Sequence, residues 1–297
     1  MPKYLKLGAL VTGCLIVLIG LVVMAVYGVS NGRINKQYTV NPPAIPVPTD
    51  TASLAEGERL ATIRGCGGCH GEDLAGDVMI DGVPGHIIAP NLTKGRGGIG
   101  NTYTDVDWAR AIRHGIGKDR RGLWIMPAQD FQTMSDDDTG QIIAYVKSVP
   151  PVDNDLGKSS FGLLFRALLV TNQADLIAAE KIDHDASVHA PTAGVTVEYG
   201  QYLATTCQGC HGPKLAGGPF PGSEAGEPEP ANLTPAGELK EWQEADFMTA
   251  IRTGKLPGGR QLNSAMPWQG FSLMTDVELK ALWLYLQSLP PTPTGGK

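Results

Sequence analysis

The chain has 297 residues, 42% apolar and 18% charged, which gives length for about two domains with real cores and excludes a mainly disordered chain. Gly (38) and Pro (22) make up about a fifth of it, so long irregular loops are expected without a collagen-like period. A net charge of −6 argues against nucleic acid as a partner, and five cysteines, four of them in two close pairs, do not suit a disulfide framework.

Residues 7–29 carry no charge and follow Lys3 and Lys6. About 20 apolar residues span a bilayer, whereas a signal-peptide core is about 7–15, so residues 1–30 read as an uncleaved membrane anchor. Two alternatives stand beside it. Val26-Tyr27-Gly28 is a passable processing site, and Val11-Thr12-Gly13-Cys14 resembles a lipoprotein box, although the sequence after Cys14 stays apolar. Lys3 and Lys6 on one side face Arg33 and Lys36 on the other, so charge counting leaves the orientation open. Residues 31–50 form a spacer whose Pro-rich part, 41–48, favours stiff polyproline geometry and is expected to hold a globular body off the membrane.

The body is written twice. Cys66 returns as Cys207 and Asn91-Leu92-Thr93 as Asn232-Leu233-Thr234. Ala111-Ile112-Arg113 returns as Ala250-Ile251-Arg252, Met126-Pro127 as Met266-Pro267, and Ser148-Val149-Pro150-Pro151 as Ser288-Leu289-Pro290-Pro291. Five landmarks in one order predict two homologous domains, 51–152 and 195–297, joined by a linker over 153–194. Ser53-Leu54-Ala55-Glu56 reads as a capping box opening a helix toward Cys66. Thr104 opens another that Gly115 ends, and Ser135 and Thr275 open the last helix of each unit. No strand-type alternation appears, so the expected fold is all-α: a transmembrane helix followed by two small helical domains with Gly/Pro loops. In the linker, Phe161, Leu164, Phe165, Leu168 and Leu169 share one helix face. That face is expected to pack between the domains, with a helix lying on the membrane or on a partner as the alternative.

Cys66-Gly67-Gly68-Cys69-His70 and Cys207-Gln208-Gly209-Cys210-His211 are C-x-x-C-H motifs, the attachment signature of haem c. Two thiols three apart reach the two vinyl groups of one porphyrin, and the adjacent His lies beneath the iron. A zinc site would need a second ligand pair in each domain, and none is at hand. The opposite iron ligand is expected to be Met126 in the first unit and Met266 in the second, at near-equal distances from their His residues and each followed by Pro. Met134 and Met274 also align, but each precedes a helix N-cap and reads as a packing residue. His86, His114, His184 and His189 have no counterparts across the repeat and are expected to face solvent. Trp108, Trp124, Phe247 and Trp268 are expected to pack near the haems. Lys118, Arg120 and Arg121 form a candidate docking patch for an acidic partner, while Glu224, Glu227 and Glu229 cluster in the second unit.

On these residues the chain resembles a di-haem c-type cytochrome, each unit being similar to a class I cytochrome c domain. It is also similar to the cytochrome subunits of membrane-bound alcohol and aldehyde dehydrogenases, which commonly carry three haem units where two are read here. The resemblance implies two covalently attached haem c groups and a relay of electrons between a membrane redox complex and another redox protein. It also implies haem domains outside the cytoplasmic membrane, with the N-terminus inside. A di-haem peroxidase is the rival reading; it needs one iron with a displaceable ligand, whereas both units here offer a Met-Pro pair.

Overall fold

The computed structural model describes residues 3–173, 176–186, 188, 191–219, 226 and 228–296; His189, Glu224 and Glu227 lie outside them. A long helix, α1 (Lys3–Ile34), leads into the body. The first unit follows with α2 (Thr51–Ile63), α3 (Cys66–His70), strands β1 (Asp77–Gly82) and β2 (Gly85–Ala89), α4 (Asp105–His114) and α5 (Asp136–Ser148). After β3 (Ser160–Phe161) and α6 (Leu163–Val170) comes the second unit: α7 (Val197–His211), α8 (Glu244–Thr253), α9 (Trp268–Phe271) and α10 (Asp276–Ser288).

Local chemistry explains the helix ends. Thr104 and Thr275 make reciprocal capping boxes with Asp107 and Glu278, and Ser135 accepts from the Asp138 backbone N–H. Gly115 closes α4 in the left-handed conformation, φ 62°. The start of α2 differs from expectation: the cap is Asp50, whose carboxylate accepts from the Ser53 N–H at 3.0 Å and from the Ser53 hydroxyl at 2.7 Å, so Ser53 lies inside the first turn as a donor to the cap.

The architecture is mostly helical, in line with the expected helical body, and a small sheet that the sequence did not announce adds to it. β1, β2 and β3 form a small antiparallel sheet in that order, with a register shift between Val78 and Ile80. The strands are short, and β1 is largely exposed, so no alternating pattern marks it.

In each unit the first and last helices cross at a glycine. A Cβ at Gly57 would lie 2.0 Å from the Gln141 carbonyl oxygen, and one at Gly200 would lie 2.0 Å from that of Ala281. The pairs α2–α5 and α7–α10 therefore pack backbone to backbone. Around them sit two cores: Leu60, Trp108, Phe131, Met134 and Ile143 in the first, and Leu215, Phe247, Met274, Leu279 and Leu286 in the second.

The spacer does not stand clear of the body. Ile45 joins the first core, Tyr38 is buried, and Gln37 bridges to Arg121. Apolar spacer side chains gain more by burial than an extended rod gains by stiffness. The linker helix also differs from expectation. Rather than packing between the units, α6 lies on α1, and Phe165 and Trp124 join Phe161 in an aromatic cluster of the first unit.

Because no Cβ fits at the crossing, Gly57→Ala should cost at least about 2 kcal/mol through overpacking. Denaturant unfolding of that variant should show a lower midpoint, whereas Gly68→Ala, where a Cβ meets nothing within 4 Å, should not.

Candidate functional site

Cys66, Cys69, His70 and Met126 line one cavity of about 440 Å³, walled mainly by apolar side chains including Ile87, Leu92, Trp108, Ile112, Phe131 and Ile143. In the second unit Cys207 and Met266 pack against the equivalent cluster around Leu215, Phe247 and Met274.

Each motif histidine is buried and held by one nitrogen. His70 Nδ1 donates to the Pro90 carbonyl at 2.9 Å, and His211 Nδ1 donates to the Ala231 carbonyl at 2.7 Å. Donation from Nδ1 leaves Nε2 with its lone pair free to ligate. Burial, which outweighs the carbonyl contact, holds both imidazoles below the ordinary histidine value and so favours their neutral form.

The repeated Asn-Leu-Thr landmark explains how those carbonyls are placed. Asn91 Oδ1 accepts from the Thr93 N–H and its Nδ2 donates to the Val152 carbonyl; Asn232 does the same with Thr234 and Thr292. The carbonyl that holds each histidine belongs to the residue just before this clamp. Ala-Ile-Arg is a second brace: Arg113 pairs with Asp136, and Arg252 with Asp276, tying α4 to α5 and α8 to α10. Sequence reasoning missed Pro90 and Ala231 because they act through backbone atoms, although the landmark beside each marks the place.

The Met-Pro loops have one conformation, with Pro127 at φ −79°, ψ 54° and Pro267 at φ −78°, ψ 52°. Met134 and Met274 are almost fully enclosed in the cores (2% and 1% exposed), in keeping with a packing role. His114 and His184 do not face solvent as expected. Their Nδ1 atoms lie 3.1 Å apart, and burial, aided by His184, pushes His114 down to about 4. Trp108 and Trp124 line the first cavity, while Phe247 lies in the second core and Trp268 packs on Gly254. The basic patch is partly engaged: Arg120 donates to the Val40 carbonyl and the Asn41 side chain, and Lys118 donates to the Thr102 carbonyl.

The residues fit a haem. The first cavity is apolar, and the buried Trp108 indole N–H at its wall has no acceptor in the protein, as suits a macrocycle carrying carboxylates. The thiols do not suit redox exchange. Burial pushes Cys66 up to about 11 and Cys207 up to about 12, the reverse of a reactive thiolate. Among the described residues no group of three or more His, Cys, Asp or Glu side chains could hold a metal ion by itself.

The units meet along their attachment helices. Arg64, two residues before Cys66, donates to Thr205 at 3.1 Å and Thr206 at 2.6 Å, just before Cys207. Arg59 of α2 pairs with Glu278 of α10 at 2.8 Å, and Tyr202 of α7 bonds Asp138 of α5. Glu278 and Asp138 hold equivalent positions, so the contacts are reciprocal.

The sequence model of the cytochrome c family matches residues 54–150 and 197–290, and the chain belongs to that family, whose members carry covalently attached haem c. It is 29% identical over 280 residues to the fructose dehydrogenase cytochrome subunit of Gluconobacter japonicus, covering 86% of this chain and 57% of that protein. It is 29% identical over 277 residues to the cytochrome c subunit of the alcohol dehydrogenase (quinone) of Gluconobacter oxydans, covering 83% and 56%. The corresponding subunit of Komagataeibacter europaeus is 30% identical over 285 residues, covering 82% and 57%. The chain thus spans a little over half the length of these relatives.

Burial works against ionised Glu278, but the Arg59 and Thr275 hydrogen bonds win and hold it below its ordinary value of 4.5. Its contribution is therefore present above that value and lost as pH falls through the depressed one. Glu278→Gln should lower stability by about 2 kcal/mol at neutral pH, and by progressively less as the pH is taken down through the depressed value, in thermal unfolding.

Proposed function

We propose that this cytochrome c family member relays electrons through two covalently attached haem c groups, one in each of the units 51–152 and 195–297, as a subunit of a membrane redox complex. Residues 7–29 span the cytoplasmic membrane with the N-terminus inside and the haem units outside. Support for the anchor comes from α1, which is long and apolar enough to cross a bilayer. Support for the partner comes from the relatives, which are named as cytochrome subunits of fructose and alcohol dehydrogenases.

One observation carries the reading: both units repeat the same arrangement of attachment motif, carbonyl-held histidine and Met-Pro loop. Bound haem supplies a one-electron ferric–ferrous couple. Cys66 and Cys69, and Cys207 and Cys210, would hold it by thioethers. His70 and His211 present Nε2 from fixed rings and would ligate the iron, with Met126 and Met266 as the second ligand in each unit, a thioether donor that favours the ferrous state. Apolar walls exclude water from the first site. Matched ligand loops in both units suit a relay better than a peroxidase, which needs one displaceable position.

Pyridine haemochrome assay of the denatured protein should count two haems per chain, and one after Cys207 and Cys210 are both changed to Ala. A count of two in that variant would end the motif assignment. Met126→Ala should remove the first unit's share of the near-infrared sulfur-to-iron band and lower that haem's potential. Met134→Ala should keep the band and lose about 2–5 kcal/mol of stability. Mild-detergent purification from native membranes should bring down a dehydrogenase.

A further inference from the structure

The linker helix leaves one apolar edge uncovered. Phe165 and Leu169 are buried, but Leu163 and Leu164 are 43% and 49% exposed. Beside them stands Val83 at the tip of the β1–β2 hairpin, 84% exposed. The two are joined, because the Gly162 N–H donates to the Pro84 carbonyl at 2.8 Å and Gly85 pairs with Phe161 in the sheet.

The contacts of α6 with α1 fix the level of this edge. At the C-terminal end of α6, Arg33 donates to the Leu169 carbonyl and, at 2.9 Å, to the Asn172 side chain. One turn earlier, Arg166 donates to Ser30 and Asn31, both at 2.8 Å, with its guanidinium 4.6 Å from the Tyr27 ring centre. Moving from residue 169 back to 163 therefore runs down α1 from its polar end toward its apolar stretch. Leu163 and Leu164, with Val83 beside them, are thereby placed near the level where the exposed side chains of α1 change from apolar, ending at Val29, to polar, beginning with Asn31. Tyr27 and Arg166 at this level are the residue types that anchor proteins at a membrane interface. The nearby Asp81 and His86 sit opposite each other in the ladder, Asp81 Oδ1 lying 3.3 Å from His86 Nδ1.

We propose that the hairpin tip and the first turn of α6 insert into the interfacial layer of the bilayer, as a second membrane contact beside α1. The occupant is lipid because the exposed apolar edge continues the apolar surface of α1. This inference rests on the proposal that residues 7–29 span the membrane. It adds an orientation: Ile34, Met79 and Phe161 line the first cavity, so seating this edge brings that cavity to the membrane surface.

The test uses the full haem-loaded chain in nanodiscs of phosphatidylethanolamine and phosphatidylglycerol, in a Cys14→Ser background. A nitroxide is placed in turn through Val83→Cys, Leu164→Cys, Leu18→Cys in α1 and Val277→Cys on α10. Collision rates with dioxygen and with a water-soluble nickel chelate are then read by electron paramagnetic resonance. The labels at 83 and 164 should show an oxygen-to-nickel ratio several-fold above that at 277, and below that at 18. A water-like ratio at 83 and 164 with a lipid-like ratio at 18 overturns this inference and leaves the span intact. A water-like ratio at 18 defeats the span reading itself. Low access to both reagents at 83 and 164 means that protein covers the edge, and also overturns the inference.

Discussion

An imidazole can offer a ligating nitrogen in one fixed direction only when its other nitrogen is held. In both units that hold is a hydrogen bond to the carbonyl of the residue that precedes Asn-Leu-Thr. The rest of each unit fixes where that carbonyl sits. The Asn and Thr side chains lock the turn after it and bind the chain that leaves the last helix. That last helix is set against the first by backbone contact at Gly57 or Gly200, and the first helix leads into the attachment motif. A ring of local constraints thus closes on the histidine, which suits a site that has to change charge with little rearrangement.

The pairing of the units follows from the same frame. The third residue of each final helix, Asp138 or Glu278, has its backbone N–H held by the helix cap, Ser135 or Thr275, and its carboxylate gripped by the first helix of the other unit. Arg64 lies between the two attachment helices, within hydrogen-bond reach of Thr205 and Thr206. Opposite it, Asp130, four residues after Met126, lies against α7 at Gly209, and burial pushes its carboxyl up to about 6 against the pull of Arg64. The segment after Met266 touches α2 in return. Each Met-Pro loop therefore continues into the interface, so these loops and the inter-unit contacts form one connected structure.

The surroundings of the two loops differ. Over Met126 lies the linker: the Ile125 N–H donates to the Leu176 carbonyl, Trp124 bridges to Ile177, and Ala178 packs on Ala128. Glu180 of the same stretch pairs with Arg33 at the end of α1. The end of α1, the linker and the Met126 loop are mechanically continuous. At Met266 the flanking Ala265 and Pro267 are exposed.

The duplicated cytochrome c pattern was legible from the residues alone. Two C-x-x-C-H motifs, two Met-Pro pairs and five landmarks kept in order disclosed it, because such signatures consist of fixed residue types at short spacings. Caps at Thr104, Ser135 and Thr275 were legible because they are local. Other features were decided only by tertiary structure, since they depend on residues far apart in the chain. The carbonyls of Pro90 and Ala231 act through the backbone and leave no side-chain signal. The small sheet forms because β2 finds partners on either side of it, although β1 has no alternation to announce it. The spacer lies along the body because Tyr38 and Ile45 find apolar partners there, which its proline content alone does not reveal. The linker helix turns toward α1 because Arg166 and Arg33 find partners across more than a hundred residues of chain.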